Sequence, residues 1–279
     1  MIPAGAAQIP VDGDELAGRV ARSLTDALHL RESDVAVTAQ MSAPGAVEQL
    51  GIDLSGSVID NRYLSRSAIS LRPPRSTAGG VHTEVGTLSI AGRPVVAFGA
   101  PIVVQLDAQH VPATWLHDDS GQLWLAFRDE RASGGGTAGR AVVEGEVAAV
   151  SAAAGTVAAE LAKQMGAAVR DVRVAPRATG PNRWRFDLAA RVSKGFASAN
   201  VTGHAEVTLD DDLVVRVEEL AARAGGILGS LAQGFIESAL GRYRDRSVDL
   251  KELTFAGAHV TGIDVDLGER FRVTVTLGS

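Results

Sequence analysis

Strict period-two alternation through the last third of the sequence constrains the fold most. Trp184, Phe186, Leu188, Ala190 and Val192 point one way, while Arg185, Asp187 and Arg191 point the other. Val201, Gly203, Ala205, Val207 and Leu209 form the next apolar row, Asp210-Asp211-Asp212 makes a turn, and Leu213, Val215 and Val217 return. Ile263, Val265 and Leu267, then Phe271, Val273, Val275 and Leu277, repeat the pattern. Such rows belong to antiparallel strands with one dry and one wet face. Hydrophobic residues make up 46% of the chain but aromatics only 4%, so the dry face must be built chiefly from Ala, Val and Leu. That face needs a cover, and three segments with helical periodicity can supply it.

The broadest of these covers residues 225–244. Ile227, Leu228, Leu231, Ala232, Phe235, Ile236, Ala239, Leu240 and Tyr243 lie on two adjacent i, i+4 rows. Gly229, Gly234 and Gly241 interrupt it, each at roughly 1 kcal/mol of helix propensity. Near the start, Asp14 is placed to cap a helix carrying Leu16, Val20, Leu24 and Leu28. A third helix is expected over about 152–168, with Val157, Leu161 and Met165 on one side. The residues Val20, Leu24, Leu28, Asp34, Val35 and Val37 recur at a constant offset as Val157, Leu161, Met165, Asp171, Val172 and Val174. A helix stripe, a helix-to-strand junction and a strand start are thus repeated in register. The expected organisation is a loose arm at 1–12, a first helix-plus-sheet half at 13–150, and a second at 151–279 that contains the late helix 225–244.

The rest of the first half reads as strands at Val81–Ile90, Val95–Phe98, Ile102–Leu106, Leu123–Phe127 and Val142–Val150, with an irregular stretch at 43–80. Asp118-Asp119-Ser120-Gly121 reads as a turn and Ser133–Gly139 as a linker. The expected fold class is α+β: strongly bent antiparallel sheets wrapped around long amphipathic helices, in two similar halves.

Chemistry-bearing motifs are sparse. Net charge is −6 with no basic–aromatic stripe, which argues against nucleic acid as a partner. There is no cysteine, so disulfides and thiolate chemistry are excluded. Gly134–Gly139 matches G-x-G-x-x-G, but a charged segment precedes it and a strand-like one follows, the wrong context for a dinucleotide. The six histidines share no metal-ligand spacing, and His117 with Asp118 and Asp119 sits in a turn. No catalytic carboxylate pair, metal site or cofactor site is read from the sequence. No apolar run is long enough to span a membrane, and no signal peptide is visible; as written the chain reads as cytoplasmic, and export would require a leader.

The order of helix, long alternating strands, late helix and closing strands resembles the tubular lipid-binding superfamily, in particular the small bacterial members related to a mycobacterial mannan-biosynthesis protein of that fold. Val-Thr-Leu-Asp-Asp-Asp-Leu-Val-Val-Arg-Val, the helix ending Leu-Gly-Arg-Tyr, and the segment from Leu253 to Leu267 carry the resemblance. It implies an apolar tube holding acyl chains and contributes no catalytic residue.

The expectation is therefore a lipid-binding or lipid-transfer protein that holds acyl or isoprenoid chains in an apolar tube. Its lining would be Val157, Leu161, Met165, Leu228, Leu231, Phe235, Ile236 and Leu240. At about 0.8 kcal/mol per buried CH₂, a chain of about a dozen carbons needs no polar recognition. The expected partners are a hydrophobic small molecule or lipid and, transiently, a membrane surface. Two alternatives stay open: an enzyme with an apolar pocket, a cyclase or isomerase using groups such as Tyr63, His82 and Gln105, and a structural or assembly subunit.

Overall fold

A computed structural model describes residues 1–5, 8–59, 80–118, 121–128, 136–164, 166–194, 197–225 and 247–278. The late helix expected over 225–244 falls almost wholly outside the described residues.

Helix α1 (Gly13–Leu28) forms on the predicted leucine stripe, but its cap is Asp12, and Asp14, the expected cap, lies in the first turn. The Asp12 carboxylate accepts from the Glu15 amide at 2.8 Å, and the Glu15 carboxylate accepts from the Val11 amide at 2.9 Å. This reciprocal cap satisfies two otherwise orphaned donors. Leu16, Val20, Leu24 and Leu28 form its buried stripe. His29, at φ 45°, closes the helix in the left-handed region.

The strands are β1 (Ile2–Pro3), β2 (Ala36–Ala43), β3 (Ala46–Asp53), β4 (Val58–Ile59), β5 (Val81–Ala97), β6 (Ala100–His117), β7 (Leu123–Phe127) and β8 (Ala138–Glu146). Helix α2 (Val147–Gln164) follows, then β9 (Ala168–Gly180), β10 (Arg183–Lys194), β11 (Ala197–Leu209) and β12 (Val214–Gly225). The closing strands are β13 (Ser247–Asp249), β14 (Thr254–Phe255), β15 (Ala258–Leu267) and β16 (Arg270–Gly278). An 11-stranded sheet runs β14-β15-β16-β8-β6-β5-β3-β2, with β1, β4 and β7 attached beside that path. A second, 5-stranded sheet runs β13-β12-β11-β10-β9 and is antiparallel throughout.

This corrects the expected fold class. The chain is mostly β, with two α-helices among the described residues, and the larger sheet is mixed because β3 and β4 both pair parallel to β5. Among the described residues the sheets do not wrap around long amphipathic helices, and the tube implied by the family resemblance goes with them. Length supplies the physical reason. A 16-residue helix spans roughly 24 Å, whereas eight strands hydrogen-bonded in a row at ~4.8 Å cover about 34 Å. Each helix therefore lies against one end of a sheet: α1 on the edge strand β2, α2 on the edge strand β9. Moreover, α2 has no sharp apolar stripe, since alanines occupy most of its circumference.

The larger sheet draws on both halves of the sequence, because β16 pairs with β8 over eight register positions from Arg270↔Glu146 to Leu277↔Gly139. The strand expected to run to Val150 ends at Glu146, and α2 starts five residues earlier than its spacing predicts. The main core lies between α1 and the larger sheet, built on Leu16, Val20, Leu50, Val85, Val111 and Trp115. Trp115 is 1% exposed and its indole donates to the Gly45 carbonyl at 2.9 Å, which satisfies its one polar atom. In β6 the buried parity changes from Ala108 to Val111, Ala113 and Trp115 across His110, which adopts φ 54°. No helix among the described residues is long and apolar enough to cross a membrane.

Candidate functional site: an apolar cavity between the two sheets

The apolar face of the second sheet follows from register, although Leu188 on it is 42% exposed. Trp184 lies opposite Val207 and Ala178, Phe186 opposite Ala205 and Pro176, and Leu188 opposite Gly203 and Val174. One face therefore collects apolar side chains across three strands. Helix α2 covers its β9 margin closely. A Cβ added at Gly155 would sit 3.2 Å from the Val172 Cβ, and the Ser151 hydroxyl donates to the Val174 carbonyl at 2.8 Å.

Beneath α2, the two sheets leave a cavity of about 280 Å³. Val147, Val150, Ser151 and Ala154 of α2 form one wall. Val174, Pro176, Trp184 and Phe186 come from the second sheet, and Val265, Leu267, Phe271 and Val273 from the hairpin β15–β16 of the larger one. Ser151 is the single polar side chain of this lining, and its hydroxyl is already engaged. Trp184 is 8% exposed and forms the most buried part of the wall. The cavity exists because α2 presents small side chains where α1 presents leucines; alanine cannot fill the gap between two sheets packed through a helix.

Val147, Ser151, Val174 and Pro176 also line a wider cleft of about 860 Å³. Its rim carries Glu146 and Glu269 together with Arg173 and Arg270. The apolar cavity and the charged cleft thus share four wall residues and lie side by side.

Few of the expected lining residues sit here. Val157 lies on α2, half-buried, and is not part of the cavity lining. Leu161 falls in α2 with its side chain outside the described set. Met165, Leu228, Leu231, Phe235, Ile236 and Leu240 lie outside the described residues. Trp184, Phe186, Val265, Leu267, Phe271 and Val273 were legible as apolar rows, but nothing in the sequence shows that rows from different sheets face one another. Val150 and Ser151 were hidden because 142–150 reads as a strand.

Polar candidates lie elsewhere. Gln105 bonds Arg93 and, at 2.7 Å, the Asp107 carboxylate. His82 lies 3.1 Å from the Thr114 hydroxyl and 2.8 Å from Arg128. Neither lines the cavity, and Tyr63 is outside the described residues. The Asp118 turn is structural: its carboxylate accepts from the Trp124 indole at 2.8 Å and from the Gln122 amide at 2.9 Å. The linker reading of 133–139 fails at its end. Thr137 is 2% exposed, with its hydroxyl bonded to the carbonyls of His110 and Ala256, and Gly139 lies in β8 where a Cβ would come within 2.9 Å of the Asp107 carbonyl. Among the described residues no three His, Cys, Asp or Glu side chains gather as metal ligands do.

The wet face of the second sheet carries the cross-strand ion pairs. Arg185 bridges Asp187 at 2.9 Å and Glu206 at 3.1 Å, and Arg177 approaches Asp187 at 3.2 Å. The hydrogen bond from Arg185, together with the charges of both arginines, holds the Asp187 carboxyl below its ordinary range. His204 Nε2 lies 2.9 Å from Glu219.

No protein-family model matches this chain, and neither a curated protein nor a solved structure matches it.

Proposed function

We propose that the protein binds one small apolar molecule, or one acyl or isoprenoid segment, in the cavity beneath α2. The observation that supports this reading is the lining: eleven of its twelve side chains are apolar, and the twelfth is hydrogen-bonded to backbone. At about 280 Å³ the cavity lies at the lower end of the ~300–1,000 Å³ usual for ligand pockets, so it suits one short chain and not a whole two-chain lipid. Eight buried methylenes contribute about 6 kcal/mol, against an association cost of about 4–15 kcal/mol. Binding is net favourable only at the lower end of that cost, so it is modest and reversible, as carriage or sensing requires.

Native mass spectrometry of the purified protein, before and after incubation with dodecanol, tests this. The expected result is a stoichiometric adduct that disappears on denaturation. Ala154→Phe fills the space from an exposed helix position; it should lose the adduct while its melting temperature stays within a few degrees of the parent. An unliganded mass for the parent at saturating dodecanol, or an adduct that persists in Ala154→Phe, overturns the reading.

A further inference from the structure

The wet face of the second sheet is strongly basic on an acidic chain. Register places Arg170, Arg173, Arg183, Arg191 and Arg223 on it, and all five are exposed with no ion-pair partner among the described residues. Arg177, Arg185 and Arg216 share the face but are ion-paired. The carboxylates there are Asp187, Glu206, Glu218 and Glu219. With Asp210, the partner of Arg216, counted too, these eight arginines and five carboxylates leave the face net positive by three on a chain of net charge −6.

The free arginines are also concentrated. Arg170 lies directly opposite Arg191, whose other neighbour is Asn200; Arg173 lies opposite Ala189, which is next to Thr202, and Thr202 faces Arg223. Four guanidinium groups thus share one end of the sheet, with neutral side chains at the paired positions between them and one carboxylate, Asp171, exposed at the β9 bulge between Arg170 and Arg173. Like charges directly opposite across a strand pair destabilise a sheet, so this end is arranged against its own stability. An external anionic partner relieves that repulsion.

We infer that this face docks on an anionic lipid surface. A broad sheet face, five of whose arginines have no ion-pair partner among the described residues and no aromatic side chains among them, suits a plane of negative charge. Nucleic acid is less well served, since single strands are gripped by aromatic stacking and duplex binders are basic overall. Arg173 belongs both to this face and to the cleft beside the cavity, so docking here would bring the β9 edge of the cleft to the membrane. The inference does not depend on the cavity holding a ligand.

Vesicle co-sedimentation of the full chain tests it, with neutral phosphatidylcholine against phosphatidylcholine containing phosphatidylglycerol. Binding is expected only to the anionic vesicles, and it should fall as salt rises. Each free arginine should be worth roughly fivefold in vesicle affinity. Arg170→Gln with Arg191→Gln should thus weaken binding by more than about tenfold. Their removal relieves a repulsion, so the melting temperature should hold or rise, which separates lost docking from lost fold. The conservative pair Arg170→Lys and Arg191→Lys should retain binding, and Ala154→Phe should bind vesicles as the parent does whatever becomes of its ligand. Equal binding to neutral vesicles, undiminished binding by the double glutamine variant, or tighter binding to duplex DNA than to vesicles at the same salt would overturn it.

Discussion

The two helices sit in equivalent places and do different things. Each lies on the edge strand that follows it in the chain, β2 for α1 and β9 for α2. Under α1 the contact is dry: Leu16 and Val20 are 0% exposed, and the leucine stripe interlocks with Leu50, Val85 and Trp115. Under α2 the buried positions among the described side chains are Ala153 and Ala162, and the space between the sheets stays open. The same supersecondary arrangement makes a core with large aliphatic side chains and a cavity with small ones. Side-chain volume, and not topology, separates the scaffold from the site.

The largest test of that contrast is a matched truncation. Leu16→Ala should cost about 2–5 kcal/mol in a urea melt, since it empties a closed site. Val150→Ala, on the cavity wall, should cost under about 1.5 kcal/mol, because its side chain is half-buried beside space that already exists. Equal losses would mean that the cavity wall is packed as tightly as the core.

Enlargement should reverse the sign. Ala108 is 1% exposed in the main core, so Ala108→Leu is expected to lose about 1–3 kcal/mol by overpacking. Ala154→Leu enters open space and should gain up to about 2 kcal/mol while reducing dodecanol uptake. A loss at both positions would show that the space beneath α2 does not accept a side chain.

The smallest effect concerns acid. Asp187 on the second sheet and Asp53 on the larger one both ionise below their ordinary value of 3.8, the first through Arg185 and the second through Ser55. A depressed folded value contributes stability that is complete above the unfolded value and is lost as pH falls through the folded one. Both sheets should therefore weaken below pH ~4. Asp187→Asn should flatten that part of the pH profile only slightly, because its ion pairs are solvent-screened. Thermal melts between pH 2.5 and 6 give the comparison; an unchanged acid limb in Asp187→Asn would assign the acid sensitivity to other carboxylates.

Much of the local structure was legible. Leu16, Val20, Leu24 and Leu28 predict α1 because an i, i+4 leucine row behind an Asp cap has one good solution. The rows on β10, β11 and β12 emerge as read, since strict alternation pins a register. The long hairpin β5–β6 reads in the sequence as shorter pieces, because Gly92-Arg93-Pro94 interrupts the alternation of β5 and the buried parity of β6 changes at His110, where a non-glycine residue with positive φ leaves no composition signal. Residues 142–150 could be strand or helix on their own; the choice of helix from Val147 depends on the end of β8, where Arg270 pairs with Glu146. The glycine-rich stretch before β8 looked like a linker, yet Gly139 is demanded by close approach to the Asp107 carbonyl.

What the sequence determined by itself is a set of periodicities: which residues share a strand face, which leucines form the stripe of α1, and that no cysteine or metal-ligand spacing is present. What only the tertiary structure decided is which faces meet. Trp184 and Phe186 are separated from Val265 and Phe271 by most of the second half of the chain, and no local preference couples them. They meet because β15 and β16 join the larger sheet while β10 stays in the smaller one, with α2 laid across the gap. The arginine face arises in the same way: five residues scattered from 170 to 223 form one surface only once hydrogen-bond register places their strands side by side. Periodicity is a property of neighbours along the chain, whereas a cavity or a charged face depends on the packing of residues far apart in it.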